Sequence, residues 1–264
     1  EGLLNGVFHS VSAFCNAGFD LMGKYGQFSS LTHFADDLVV NLTVISLIVI
    51  GGIGFLVWDD VLLNKLDYKK YQLHTKIVMS STALLIFGGA VIFFIVEAEH
   101  SMVDMSLKRK IISSLFHSVT PRTAGFNTLN VNEMSEGCYL MTMVLMIIGG
   151  SPGSTAGGIK TTTFVTLILA AMSSAKQCSD ITLFKRRLET DSLKKASAIT
   201  VLYLFTAFIA IMLISTFQDF TLEEIMFEVF SALGTVGLTL GITPSLNIFS
   251  KIVITLLMYG GKVG

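Results

Sequence analysis

Long stretches without a charged side chain constrain this chain more than any other feature of its sequence. Residues 38–58, 77–96, 137–159 and 196–217 each lack Asp, Glu, Lys and Arg, over about the 20 residues that one membrane-crossing helix requires. The whole chain is 52% hydrophobic and 14% charged, whereas soluble domains are about a quarter charged. Its net charge of −1 excludes the basic surface of a nucleic-acid binder. The sequence therefore predicts an all-α membrane protein.

The region 137–175 carries one charge, Lys160, and is too long for a single straight helix. At 1.5 Å per residue it would extend about 58 Å, against a hydrocarbon core of about 30 Å. Its middle is a run of small residues: Gly149, Gly150, Ser151, Pro152, Gly153, Ser154, Thr155, Ala156, Gly157 and Gly158. Proline and paired glycines interrupt helices. We predict two half-helices joined by this glycine-rich loop, with a kink for close helix packing as the alternative.

Basic residues concentrate in two of the connections between the apolar runs. Loops 59–76 and 173–195 hold 10 of the 18 Lys and Arg residues, which places them in the cytoplasm by the positive-inside rule. The connections on the other side then hold 13 of the 19 acidic residues: 1–37, 97–136 and 218–251. An acidic outer surface attracts cations. The basic cluster 108–110 is an exception to this sorting.

Three outer segments resemble one another, which indicates an internal repeat. Each joins a short amphipathic stretch to a loop of the pattern Asn/Thr, Ala/Val, Gly, Phe/Leu. The loops are Asn16, Ala17, Gly18 and Phe19 (first loop), Thr123, Ala124, Gly125 and Phe126 (second loop), and Thr235, Val236, Gly237 and Leu238 (third loop). The stretches, about 3–13, 107–117 and 222–232, are too short to cross a bilayer, so each must re-enter on its own side. Such backbone at membrane depth is tolerated where it lines a watery path.

The loops favour a monovalent cation, although they contain no acid and no histidine. Backbone carbonyl oxygens replace the hydration shell of such an ion when several loops point them at one axis, and glycine permits the required positive φ. An anion or water pore is one alternative, disfavoured by the acidic outer loops and by Thr235-Val236-Gly237. An intramembrane enzyme is another, but it needs a dyad or metal cluster, and the uncharged runs hold no His, Asp or Glu.

With their flanking residues, the loops resemble those of a known family. Asn16-Ala17-Gly18-Phe19, Pro121-Arg122-Thr123-Ala124-Gly125-Phe126 and Gly234-Thr235-Val236-Gly237-Leu238 are similar to the membrane subunit of bacterial Ktr/Trk (KtrB/TrkH-type) potassium transporters. The resemblance implies pseudo-fourfold repeats of helix, re-entrant pore loop and helix around one ion pore. Residues 1–72 would be the second repeat without its first helix, 73–190 the third, and 191–264 a truncated fourth. We expect a piece of a longer protein that begins about 140 residues upstream.

The resemblance also assigns roles to residues outside the three loops. The glycine-rich loop would be an intramembrane gate, and Lys262 in Gly261-Lys262-Val263-Gly264 stands where the family carries a pore-facing basic residue. The alternative for Lys262 is snorkelling to an interface. Lys160 would either hold the end of the glycine-rich loop or lie at the inner membrane face. For Arg122 we favour an ion pair with an outer acid over tuning of the pore mouth, and for His9 and His117 packing or a hydrogen bond.

The implied function is K⁺ uptake across the bacterial inner membrane by a multi-pass protein. One glycine per repeat predicts weaker discrimination against sodium than in tetrameric channels, so Na⁺ stays open as a second ion. We expect no organic cofactor, no catalytic residue and no nucleic-acid partner. The partners implied by the resemblance are a second copy of the chain in a homodimer, a cytoplasmic ring of nucleotide-binding regulatory subunits (KtrA-like), and membrane lipid.

Overall fold

A computed structural model describes residues 2–65, 67–177, 182–184, 186–187 and 190–263. Their helices and strands, in chain order, are α1 Gly2–Phe14, α2 Leu38–Gly52, α3 Phe55–Asn64, α4 Leu73–Glu97, α5 Leu107–Val119, α6 Glu136–Ile147, α7 Thr161–Ala175, β1 Thr182–Leu183, β2 Arg186–Arg187, α8 Thr190–Phe217, α9 Leu222–Leu233 and α10 Ile248–Val263. The helical class is confirmed, with one small antiparallel strand pair between α7 and α8. Gly264 of the predicted terminal motif and parts of loop 173–195 lie outside the described residues.

Two of these helices, α4 and α8, are long and apolar enough to cross a membrane, and α2 with α3 makes a third if that bent pair is one span. The chain turns by 95° between α2 and α3, so the prediction of one helix over 38–58 is wrong at its inner end. Gly54 at the turn has a φ of +91°, which favours glycine. The Trp58 indole Nε1 donates to the carbonyl of Ile50 at 3.1 Å, which satisfies an acceptor at the helix end.

The three short helices lie where the repeat predicts them. Helices α1, α5 and α9 contain 13, 13 and 12 residues, which is about 20 Å at most and too short to cross. Ser106 caps α5 by accepting from the Arg109 amide at 3.3 Å. Thr221 caps α9 in a reciprocal capping box with Glu224. Each short helix leads into one of the three loops and then into an apolar helix.

The region 137–175 forms two half-helices, as its length predicts. Helix α6 ends at Ile147 and α7 begins at Thr161. The amide of Gly149 donates to the carbonyl of Ile159 at 2.8 Å, and the amide of Thr161 donates to the carbonyl of Gly150 at 3.0 Å. These two bonds join the two ends of the glycine-rich loop between α6 and α7.

A buried carboxylate fixes the C-terminal end of α4 against the start of α6. Glu97 is 0% exposed. Its Oε1 accepts from the Ser135 amide at 2.9 Å, and its Oε2 accepts from the Ser101 hydroxyl at 2.6 Å. A buried charge is tolerated when hydrogen bonds satisfy it, so this cluster holds the outer connections that frame the second loop.

Candidate ion pathway

The three predicted loops adopt the same backbone conformation. Left-handed φ angles occur at each glycine and at the residue two positions before it. They are +71°, +82° and +92° at Gly18, Gly125 and Gly237, and +49°, +69° and +54° at Asn16, Thr123 and Thr235. Because residues with a side chain rarely adopt this region, its recurrence at one position in three loops indicates three equivalent turns.

The glycines pack on the backbone of the next loop. A Cβ on Gly18 would lie 2.2 Å from the carbonyl oxygen of Ala124, and one on Gly125 would lie 2.1 Å from that of Val236. No side chain fits at either position. A Cβ on Gly237 would meet no described atom within 4 Å. The loops therefore stack side by side in chain order, and the third loop has an open flank.

One cavity is lined by the glycine ends of all three loops. It has a volume of about 120 Å³ and is lined by Gly18, Gly125 and Gly237. Asp20 and Asn127 also line it. A carboxylate and an amide oxygen beside three glycine backbones are suited to a cation. The sequence identified Asp20 only as one of the outer acids.

Three hydroxyls that the sequence reasoning missed hold the loops to their short helices. The donors and their carbonyl acceptors are Ser12 to Phe19 at 2.7 Å, Thr120 to Phe126, and Ser231 to Leu238 at 2.5 Å. Each acceptor belongs to the residue directly after the loop glycine. The available signal was a Ser or Thr five or six residues before every glycine of the repeat.

The glycine-rich loop lies at the other end of the three loops from the cavity. The Thr155 hydroxyl is 2.9 Å from the Asn16 Oδ1 atom. A Cβ on Gly157 would lie 2.2 Å from the Thr235 hydroxyl. Asn16 and Thr235 precede their glycines by two residues, so these contacts place the glycine-rich loop beneath the first and third loops.

The bend between α2 and α3 holds the other side of the glycine-rich loop. The Ser151 amide donates to the carbonyl of Gly52 at 3.0 Å, and the Phe55 amide donates to the carbonyl of Gly153 at 2.9 Å. The Ser151 hydroxyl also donates to the carbonyl of Ile53. The bend frees backbone groups that a continuous helix would have paired internally.

Both predicted lysines contact the glycine-rich loop. The Lys262 Nζ atom donates to the Thr155 carbonyl at 2.5 Å, and the Lys160 Nζ atom donates to the Ala156 carbonyl at 2.8 Å. The amide of Gly158 donates to the carbonyl of Gly261 at 3.3 Å. Both ammonium groups therefore lie against the glycine-rich loop.

Arg122 differs from its expected role. Its side chain is buried, and no ion pair to an outer acid is found for it within the part of the chain that the structure describes. Its carbonyl accepts from the Asn16 Nδ2 atom at 3.5 Å, so the backbone of Arg122 joins the first loop to the second. Among the described residues no group of three or more His, Cys, Asp or Glu side chains could hold a metal ion.

Comparison with known proteins gives one consistent result. The sequence matches the TrkH family, described as a cation transport protein, over residues 1–264. It is 40% identical to the potassium/sodium uptake protein NtpJ of Enterococcus hirae and 37% identical to the Ktr system potassium uptake protein B of Bacillus subtilis. Both alignments cover 100% of this chain and 58% of the relative.

A solved structure shares the fold. The potassium transporter TrkH from Vibrio parahaemolyticus superposes with a TM-score of 0.82 at 19% sequence identity. The match covers 98% of this chain and 56% of that one. The chain thus spans somewhat more than half the length of the proteins that it matches.

Proposed function

Because the chain belongs to the TrkH family of cation transport proteins, we propose that it forms part of a potassium uptake pathway in the bacterial cell membrane. One observation carries the proposal: three loops with left-handed φ angles at the same two positions meet at one cavity. In this proposal residues 1–72, 73–190 and 191–264 are three repeats of a four-repeat pore. The open flank of Gly237 is where a fourth loop fits.

The selectivity filter of this pore is made of the first, second and third loops. Their carbonyl oxygens coordinate K⁺ in place of water, while the acid-free loops avoid binding the ion too tightly to release it. The relative NtpJ is named for potassium and sodium uptake, which supports Na⁺ as a second permeant ion. Coordination of the ion by these carbonyl oxygens requires no organic cofactor.

The filter is tested in the full-length transporter, expressed in a bacterial strain that lacks its own potassium uptake. The unchanged protein should restore growth at low K⁺. Gly125→Ala places a methyl group against the Val236 carbonyl, so it should lower the K⁺/Na⁺ uptake ratio several-fold. Gly88→Ala is the matched control, because a Cβ there meets no described atom within 4 Å. An unchanged ratio for Gly125→Ala contradicts the filter assignment.

The gate in this proposal is the glycine-rich loop, held closed by Lys262. The loop lies beneath the filter and is hydrogen-bonded to Lys262, Lys160 and the bend of α2. Lys262→Ala removes the bond to the Thr155 carbonyl and a repelling charge, so basal K⁺ flux should rise. Shortening residues 150–157 should act in the same direction. Lys251→Ala on the same helix is the control, since among the described residues the Lys251 Nζ atom bonds only to the carbonyl of Pro244, in the connection before that helix.

Rubidium flux into proteoliposomes measures this effect directly. Flux equal to the unchanged protein in both the Lys262→Ala and the shortened variants would exclude the gate assignment. The mass of the same transporter, purified in detergent, tests the proposed homodimer.

A cytoplasmic ring of nucleotide-binding regulatory subunits is the second proposed partner, with loops 59–76 and 173–195 as its basic docking surface. The bend at Gly54 supports this route, because α3 begins beside the glycine-rich loop and contains the first residues of the predicted loop 59–76. Lipid covers the exposed apolar face of α4, which includes Leu84, Phe87 and Ile95.

A further inference from the structure

A second set of equivalent side chains lies behind the three loops. The hydroxyls that hold the loops belong to Ser12, Thr120 and Ser231. Three residues before each of them the short helix carries a titratable side chain: His9, His117 and Glu228. These side chains are 8%, 5% and 6% exposed. Residues three apart share a helix face, so each titratable side chain neighbours a hydroxyl that holds a loop carbonyl.

His9 joins the first short helix to the chain that follows the first loop. Its Nδ1 atom donates to the carbonyl of Asn5 at 2.6 Å, because a carbonyl only accepts. Its Nε2 atom is therefore the acceptor of the Leu21 amide at 3.3 Å. The ring also lies beside Phe126 of the second loop, with centroids 6.4 Å apart.

His117 makes the corresponding connection behind the second loop. Its Nε2 atom is 2.8 Å from the hydroxyl of Thr142, which lies on α6, the helix after that loop. The ring stacks on Phe93 of α4 with centroids 4.2 Å apart. The imidazole is thus fixed from two sides.

Glu228 makes the third connection. Its Oε1 atom accepts from the Thr243 hydroxyl, and that hydroxyl is 3.0 Å from the hydroxyl of Thr239. Thr239 directly follows Leu238, whose carbonyl Ser231 holds. The Oε2 atom of Glu228 is buried and has no partner among the described residues.

Packing alone does not explain why the same buried position of all three short helices carries a polar side chain. A polar side chain costs free energy on burial unless it is hydrogen-bonded, and an apolar residue would fill the same space without that cost. Each group instead bonds to the chain beyond its loop. Selectivity by carbonyl coordination depends on how firmly the coordinating loop is held by the residues around it.

We propose that His9, His117 and Glu228 are positioning residues, which fix each loop between its short helix and the chain that follows and so set the K⁺/Na⁺ selectivity. This inference rests on the proposed function of the three loops as the filter. None of the three side chains contacts the ion. They act through the loop backbone.

The third connection gives the sharpest test, in the full-length transporter. Glu228→Leu removes the acceptor, and Thr243→Val removes the donor with little change of volume. Each should lower the K⁺/Na⁺ uptake ratio several-fold, and the double variant should lower it no further than one single variant. Glu228→Gln keeps an acceptor oxygen and should restore most of the ratio. Glu223→Gln, on the same helix and without a hydrogen bond to the loop, is the control.

Several outcomes would overturn the proposal. An unchanged K⁺/Na⁺ uptake ratio in Thr243→Val would overturn it, even if Glu228→Leu fails to reach the membrane. Equal effects of Glu228→Leu and Glu228→Gln would show that the carboxylate charge matters, not the bond to Thr243. If Gly125→Ala leaves the ratio unchanged, the filter assignment fails and this role with it. If Gly125→Ala lowers the ratio while both third-loop variants do not, only the positioning role is wrong.

Discussion

Thr155 is the residue at which the glycine-rich loop meets the first loop. Its single hydroxyl proton has three acceptors in reach: the Asn16 Oδ1 atom at 2.9 Å, the Gly51 carbonyl at 3.1 Å and the Phe14 carbonyl at 3.2 Å. It donates to one of them at a time, so the loop is tethered by an exchangeable bond. Such a tether suits an element that has to hold and release.

Replacing Thr155 by valine keeps the side-chain shape and removes the tether. We expect Thr155→Val to raise basal Rb⁺ flux in proteoliposomes and to lower stability by about 1 kcal/mol, the typical worth of one hydrogen bond. Thr166→Val is the control, because the one bond of that hydroxyl within the described part of the chain is to the Thr162 carbonyl of its own helix, at 2.8 Å. Equal flux in the two variants would show that the tether does not restrain the loop.

At this scale the sequence revealed the glycines but not the hydroxyls that support them. The repeat places a glycine at the same position of each loop: Gly18, Gly125 and Gly237. Backbone geometry explains this recurrence, because glycine permits the positive φ that each loop adopts there. Ser12 and Ser231 lie within short helices, where a serine ordinarily bonds to the carbonyl four residues before it. Their bonds instead reach seven residues forward, which a local pattern does not reveal.

Helix α4 packs closely on the short helix α5, and two adjacent glycines show where. A Cβ on Gly89 would lie 2.4 Å from the Ser118 hydroxyl, whereas one on Gly88 meets no described atom within 4 Å. Ser118 donates to the carbonyl of Ile86 at 2.7 Å. The contact therefore combines close packing with a hydrogen bond between the two helices.

Gly89→Ala should destabilise the transporter by about 1–3 kcal/mol, the usual cost of overpacking. Gly88→Ala should be neutral or stabilise it by up to about 1 kcal/mol, because alanine loses less backbone freedom in a helix. The midpoint of thermal unfolding in detergent compares the two. Equal midpoints would mean that α4 and α5 are not packed at Gly89.

The elements differ in how far the sequence determined them. The break in 137–175 was predictable, since the run exceeds the thickness of a bilayer. The end of α2 at Gly52 was not, because residues 38–58 have the length and composition of one complete span. The chain turns there because Ser151 and Gly153, far along the sequence, bond to the backbone of Gly52, Ile53 and Phe55.

At the scale of the whole molecule, the three loops form an arc with one open side. The first loop packs on the second and the second on the third, while a cavity of about 430 Å³ separates the third loop from the first. Its lining includes Asn16, Phe19, Thr235 and Lys262. A fourth loop in this space would close the arc into a ring, with each loop glycine packed on the backbone of the next loop. The uptake experiments therefore require the full-length protein.

The charge distribution gives the ring an orientation, which labelling can test. Helix α4 begins within the predicted loop 59–76, which holds Lys65, Lys69, Lys70 and Lys76, and ends at Glu97, where the acidic connection 97–136 begins. Tyr68 and Glu99 flank it and are both exposed. A single cysteine at either position marks one end of this membrane crossing. It is introduced into a full-length variant in which every native cysteine, Cys15 and Cys138 among them, is replaced by serine.

In intact cells a membrane-impermeant maleimide should label Glu99→Cys and leave Tyr68→Cys unlabelled until the cells are permeabilised. The physical reason is that lysine-rich connections stay in the cytoplasm. The opposite labelling would invert the orientation. The cavity lined by Asp20 and the three loop glycines would then face the cytoplasm. Labelling of both cysteines in intact cells would contradict the crossing by α4 itself. The expected result places the acidic surface where external cations enter, and the glycine-rich loop on the cytoplasmic side of the filter.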